Sequence, residues 1–316
     1  MTVVIGTDEA GYGPNLGPLV VAATAWRIDA PPEAVDEPLA AAGRAASQAA
    51  GGPLWGDSKQ IYRAGNGLAA LERGVLAGML LAGKTLPENW PALALDLGGI
   101  APPADPCQRD WDALAALALP WAADAETCRA AAQLAAAKLD RQGLSLESIA
   151  CRAIYPGEFN ALLDAGLNKS DILSRTTLGL AAGLRARFAG EPAVIWCDRH
   201  GGRKSYAALV ARHFDTPLVQ PLEETPASSV YAVPAADATI AFRVGGESRL
   251  PVALASMTAK YVRELAMHAF NTFWSERAPG LAATAGYPVD AKRWLAAAGD
   301  AVQAAGVPAA ALWRRS

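Results

Sequence analysis

Two apolar runs of strand length, Val3-Val4-Ile5 and Leu19-Val20-Val21-Ala22-Ala23, flank a turn that contains Gly11, Gly13, Pro14 and Gly17. β-branched and small apolar residues suit a pleated strand and glycine with proline interrupts one, so the chain opens with a β-hairpin. The connecting segment, residues 7–18, reads T-D-E-A-G-Y-G-P-N-L-G-P and sets adjacent carboxylates, Asp8 and Glu9, at the end of the first strand. Successive strand side chains point to opposite faces, so both cannot lie unpaired in one apolar core without a heavy desolvation cost. At least one needs a cation or a solvated cleft, unless the pair simply begins a polar turn.

Strand and helix patterns alternate through the rest of the chain. Helices are expected within 31–53 and over 68–81, 126–141, 172–187, 205–213 and 252–274; strands are expected over 151–155, 194–198, 217–220 and 239–244. On the 126–141 helix, Leu134, Ala135 and Leu139 form the apolar side. Interleaved helices and strands that open with a hairpin indicate an α/β fold, a mixed sheet with helices on both faces. The segment 84–142, with Trp90, Trp111 and Trp121, reads as an inserted helical subdomain, and its tryptophans as core residues rather than base-stacking ones. The main unit then comprises 1–83 and 143–275, and 276–316 is a helical C-terminal region. With 316 residues, 52% of them apolar, the chain has ample material for a core.

Several segments resemble, in the same order, those of the type 2 ribonucleases H (ribonuclease HII/HIII-like). Asp8 to Pro18 resembles that family's D-E-A-G-x-G-P-x-x-G-P; Asp57-Ser58-Lys59, the helix N-K-S-D-I-L-S-R-T-T-L-G-L-A-A-G-L from Asn168, the strand Val194-Ile195-Trp196-Cys197-Asp198, and A-S-M-T-A-K-Y-V-R-E from Ala255 to Glu264 continue the match. The resemblance implies a ribonuclease H-like fold in which Asp8, Glu9, Asp198 and Glu264 hold Mg²⁺ or Mn²⁺ and carry the catalysis. It further implies that Gly11, Tyr12, Gly13, Ser58 and Lys59 contact substrate, joined by Tyr287 in Ala285-Gly286-Tyr287-Pro288, which resembles a glycine-tyrosine-glycine segment of the family. Two residues depart from the family pattern: Glu264 stands for an aspartate, and Tyr12 for an arginine, whose cationic fork tyrosine lacks.

The implied activity is endonucleolytic: hydrolysis of the RNA strand of an RNA/DNA hybrid, or a cut 5′ of a ribonucleotide in duplex DNA, leaving 3′-hydroxyl and 5′-phosphate ends. Clustered carboxylates suit it, because two divalent ions roughly 3.5–4 Å apart can activate water and stabilise the leaving oxygen. Hard oxygen donors favour Mg²⁺ or Mn²⁺, and no Cys/His cluster has zinc spacing. RNA would be distinguished by backbone contacts to the 2′-hydroxyl from the Gly11 to Gly13 turn. The rival readings are a nuclease of the same fold with another nucleic-acid substrate, and a non-catalytic nucleic-acid or protein-binding module.

Other residues offer weaker signals. Ser58 could cap a helix running through residues 68–71. Arg199, Arg203 and Lys204 follow Asp198 in D-R-H-G-G-R-K and could rim a phosphate site, while His200 within that loop reads as solvent-exposed. Lys260 and Glu264 have the spacing of a helical ion pair. The net charge is −3, from 28 Lys+Arg against 31 Asp+Glu, so any nucleic-acid groove must be locally basic. Cys107, Cys128, Cys151 and Cys197 show no paired spacing, which suits reduced thiols in a cytoplasm. No signal pattern opens the chain, and the apolar stretch at 75–82 is too short to cross a bilayer; a cytoplasmic monomer without membrane contact is expected.

Overall fold

The computed structural model describes residues 1–62, 67–102, 109–203 and 205–315; Cys107 and Lys204 lie outside them. Strands β1 (Thr2–Ala10) and β2 (Leu19–Ile28) form the opening hairpin, paired from Thr2 opposite Ile28 to Ala10 opposite Val20. Helices α1 (Asp36–Ala49), α2 (Ser58–Ile61), α3 (Gly67–Leu81), α4 (Trp90–Leu97) and α5 (Ala125–Asp140) precede β3 (Leu144–Ile154), which runs antiparallel to β2. Next come α6 (Pro156–Asp164), α7 (Lys169–Ala186), β4 (Ala193–Asp198) and α8 (Ala207–His213), then β5 (Gln220–Glu224), β6 (Ser228–Val233) and β7 (Ala238–Arg243). Helices α9 (Leu250–Arg277), α10 (Pro288–Ala305) and α11 (Ala309–Leu312) follow.

The strands form one mixed sheet in the order β3-β2-β1-β4-β7-β6-β5. Its centre is a parallel trio, β1 beside β4 and β4 beside β7, so these three strands end on the same side of the molecule. Burial on both faces explains why β1 and β4 read as apolar runs instead of alternating. On one face lies the long α9. A Cβ on Gly6 would come within 2.3 Å of the Pro251 carbonyl carbon, so glycine lets the first turn of α9 rest directly on β1. On the other face, Leu178, Ala181 and Leu184 of α7 and Val210 of α8 pack on Val3, Ile5, Ile195 and Ile240. Each of the valine, leucine and isoleucine side chains contributes roughly 1.5–3 kcal/mol on burial.

Within 84–142, α4, a 3-10 turn (Arg109–Ala116) and α5 place Trp90, Leu93, Trp111, Leu114 and Ala135 in the same apolar cluster as β2, α3 and α9. Trp111 meets Tyr155 and Phe270 at 5.0 and 5.5 Å between ring centroids. Glu72 of α3, with no solvent exposure, anchors the chain entering α5: its carboxylate accepts the N–H groups of Trp121, Ala122 and Ala123 at 2.6–2.7 Å and the Tyr261 hydroxyl at 2.7 Å. Trp121 itself is partly exposed against His268, while Trp90 and Trp111 are buried. Beyond residue 276, α10 joins the core through Ala291, Trp294 and Ala298.

Several sequence expectations are corrected. Ser58 caps no helix through 68–71; Asp57 caps the separate α2 by accepting the Lys59 N–H at 2.8 Å, and buried Ser58 receives the Ser256 hydroxyl at 3.1 Å. On α5 the buried residues are Cys128, Ala131, Ala132, Ala135 and Leu139, and Leu134 faces solvent. Strand β3 begins at Leu144, well before 151, because Ser145 and Glu147 lie on its more exposed side and obscure the apolar run. The edge strand β5 starts at Gln220 and is exposed at every position, leaving no hydrophobic alternation to read, and β6 beside it was not anticipated. Cys128, Cys151 and Cys197 are free and buried. Among the described residues no helix is long and apolar enough to cross a membrane.

Candidate active site at the ends of the parallel strands

The register aligns Thr7 with Cys197 and Cys197 with Phe242, so β1, β4 and β7 run out together. The residues that lie at or beyond those ends are Asp8 and Glu9, Asp198, and the glycine-rich turn that carries Glu247. Asp8, 5% exposed, lies on the α9 side, and its Oδ2 has no hydrogen-bond partner among the described residues. Burial holds the Asp8 carboxyl well above the usual carboxylate range; Glu9 and Asp198 push it further, while the Ser256 hydroxyl opposes. Glu9 is raised to about 7, first by burial and then by Asp198 and Glu247, with Lys59 opposing. Asp198 Oδ1 accepts the Gly246 N–H at 3.3 Å, which folds the Glu247 turn around it. The Lys59 ammonium lies 3.4 Å from Glu247 and is otherwise open to solvent.

Glu264, expected in this group, stands elsewhere. It accepts the Tyr62 hydroxyl at 3.1 Å and pairs with Lys260 at 3.3 Å, whereas the largest charge effects on Asp8 and Glu9 come from their neighbours Glu9, Asp198 and Glu247. The reason is helical rise: Ser256 acts on Asp8, and Glu264 lies eight residues further along α9, about 12 Å away along the axis. Glu247 is the acid that sequence reasoning missed. It is a lone glutamate in a short turn without periodicity; its signal was position, a few residues past the expected strand 239–244.

The opening turn is built on close approaches. A Cβ on Gly11, at φ +85°, would meet Arg263 Nε at 2.5 Å, and one on Gly17, at φ +83°, would meet Met267 Sδ at 2.3 Å. Buried Arg263 therefore passes under the turn and donates to the carbonyls of Leu16 and Ala285 at 3.3 and 2.9 Å. Gly286 accepts the N–H groups of Asn15 and Leu16, which brings the exposed Tyr287 beside Gly13. Gly11, Tyr12, Gly13 and Tyr287 thus share one surface. Lys59 sits at the acids, and Ser58 is buried away from solvent.

The loop after Asp198 also differs from expectation. His200 is buried, with Nδ1 2.9 Å from the Ser174 hydroxyl and its ring edge against Tyr206 and Phe242, and burial lowers it to about 3. It is a neutral packing residue. Arg203 is committed to Asp171 at 2.5 Å, and Arg199 donates to the carbonyls of Thr225 and Arg203. Neither provides a free phosphate rim.

Among the described residues no group of three or more His, Cys, Asp or Glu side chains is placed to hold a metal ion. The donors nevertheless fit a hard divalent cation: all are carboxylate oxygens, the Asp8 Oδ2 is buried and unpartnered, and Asp8 and Glu9 are destabilised by their own like charges. Mg²⁺ commonly retains waters and binds through one or two carboxylates plus substrate phosphates, so an open set is compatible with it.

No protein-family profile matches the sequence, and no curated protein matches it. Solved structures do match. A chain of the PCNA:RNase HII complex from Archaeoglobus fulgidus aligns at 12% identity over 98% of this chain and 93% of its own, with a TM-score of 0.46. The ribonuclease H2 from Pyrococcus horikoshii OT3 aligns at 16% identity over 93% and 85%, with a TM-score of 0.39. Bst-RNase HIII in complex with Mn²⁺ aligns at 17% identity over 99% and 66%, with a TM-score of 0.43. Each is a similarity of fold. The strand order, the parallel centre and the helices on both faces define an α/β fold with a mixed sheet, the fold class expected from the sequence. The matched structures are type 2 ribonucleases H, the family whose segments this sequence resembles.

Proposed function

We propose that the chain is a metal-dependent endonuclease that cuts nucleic-acid duplexes at ribonucleotides, either in an RNA/DNA hybrid or 5′ of a ribonucleotide embedded in DNA, and leaves 3′-hydroxyl and 5′-phosphate ends. The observation that carries the reading is the convergence of Asp8, Glu9, Asp198 and Glu247 at the ends of three adjacent parallel strands, with one solvent-facing lysine, Lys59, beside them. Asp8, Glu9, Asp198 and Glu247 would hold Mg²⁺ or Mn²⁺, which supplies Lewis acidity at the phosphoryl oxygens and a more acidic water. Glu247 takes the place in this set that the sequence suggested for Glu264.

The protein groups prepare that site before substrate arrives. Burial and mutual repulsion raise Asp8 and Glu9, so a cation or a proton is needed to quiet them. Lys59, tethered to Glu247 and otherwise exposed, can swing to a backbone phosphate when the acids are neutralised by other means. The positive φ of Gly11 and the open Gly13 let backbone groups approach a ribose 2′-hydroxyl closely, and Tyr287 offers an exposed ring beside them.

The decisive test is a substrate panel: an RNA/DNA hybrid, a DNA duplex with one ribonucleotide, and an all-DNA duplex of the same sequence, each with Mg²⁺ or Mn²⁺. Cleavage confined to the ribonucleotide-containing duplexes and lost in Asp198→Asn is expected. Equal cleavage of all three would remove the substrate assignment, and no cleavage of any would remove the enzymatic one.

A further inference from the structure

The turn that lacks an arginine at position 12 is nevertheless flanked by cations from two distant parts of the chain. Lys169, at the first position of α7, places its ammonium 4.7 Å from the centroid of the Tyr12 ring. Arg314, 1% exposed, donates through Nη2 to the carbonyls of Gly11 and Pro14, which bracket Tyr12 in sequence. Among the described residues its Nε and Nη1 have no hydrogen-bond partner, and its guanidinium lies 5.1 Å from the Phe159 ring.

Among the described residues Lys169 and Arg314 make no ion pair, and the acid nearest to Lys169 in sequence, Asp171, is occupied by Arg203 and by its own capping box with Asn168. The two positive groups act on each other as well, since burial first and then the Arg314 guanidinium lower the Lys169 ammonium from its ordinary value. Buried guanidinium nitrogens without an acceptor are costly and call for an anion. A lysine on an aromatic face keeps its remaining donors free to bind one.

We propose that Lys169, seated on Tyr12 and backed by Arg314, forms an anion subsite that takes a backbone phosphate of the nucleic-acid duplex, restoring from α7 the positive charge that position 12 does not carry. The occupant is a phosphodiester because the site is cationic and its Tyr12 lies three residues from Glu9, where the duplex would enter. The proposal rests on the nuclease reading for its physiological ligand, though not for its charge.

Two measurements test it separately from that reading. In the first, catalytically silenced Asp198→Asn protein is titrated with a fluorescent duplex containing one ribonucleotide over a range of salt. Lys169→Gln in that background should weaken binding several-fold and reduce the slope of log affinity against log salt by about one. Lys169→Arg should restore both. In the second, inorganic phosphate is added to the unsilenced protein and to its Lys169→Gln variant, and melting is followed. Phosphate should raise the melting temperature of the former and leave the variant unmoved. Unchanged slope and affinity in Lys169→Gln, or an equal phosphate response in both proteins, would overturn the subsite. A protein that binds no duplex yet shows the Lys169-dependent phosphate response keeps the subsite and loses the nuclease assignment.

Discussion

Asp8 and Glu72 are both buried carboxylates, and they could hardly be provided for more differently. Glu72 is fully enclosed and accepts three backbone N–H groups and one hydroxyl, all at 2.7 Å or less. Asp8 lies among other acids and leaves Oδ2 without a partner. A satisfied buried charge locks two parts of a fold together, whereas an unsatisfied one in a group of like charges stores repulsion that only a cation or a proton relieves. The first is structure, and the second is the mark of a site.

The sharpest way to break this contrast is Asp8→Asn, measured as cleavage of a ribonucleotide-containing duplex with Mg²⁺. A loss of about 10³-fold, equivalent to about 4 kcal/mol of transition-state stabilisation, is expected, and an active variant would reduce Asp8 to a structural residue. Glu72→Ala should cost about 3–4 kcal/mol of stability in a denaturant titration, because three backbone donors and Tyr261 lose their acceptor. The folded fraction should keep its turnover.

Glu247→Gln and Glu264→Gln then separate the two candidate fourth acids. Turnover should fall about 10²-fold in the first, by loss of electrostatic stabilisation, and stay within a few-fold of normal in the second, which loses only part-buried contacts to Lys260 and Tyr62. The reverse result would return Glu264 to the site. The smallest effect concerns stability without metal: Asp8→Asn should raise it by about 1 kcal/mol at neutral pH, since a carboxyl whose pKa is raised by folding is stabilised when its charge is removed. Adding Mg²⁺ should narrow that gap by stabilising only the unsubstituted protein.

The fold was legible where burial imposes a period. The hairpin, β4, α3, α7 and α9 follow directly from apolar spacing and from caps, Asn168 and Asp171 forming a capping box at the start of α7. What escaped was polar or edge structure: β5 with every residue exposed, β6 beside it, and α6, which starts on Pro156. Of the acids at the strand ends, Asp8 and Glu9 drew notice as adjacent carboxylates closing an apolar run, and they and Asp198 were named as a set only through the family resemblance. Glu247 was not legible, because its placement depends on β7 lying parallel to β4, which no local pattern encodes. Glu264 was misplaced for the converse reason, a motif position whose distance along a helix removes it from the cluster. His200 was misjudged because a glycine-containing loop reads as exposed, although Ser174 and Tyr206 close over the ring.

The bonds between the opening turn and residues 313–315 carry a consequence for timing. Asn15 and Arg314, 299 residues apart, exchange backbone and side-chain hydrogen bonds, and Leu16 bridges to Trp313. Contacts of such separation form only after most of the chain is organised. A ribosome must therefore deliver residue 314 before the turn beside Asp8 and Glu9 can be latched, so a nascent chain carries its acids before the turn next to them is finished.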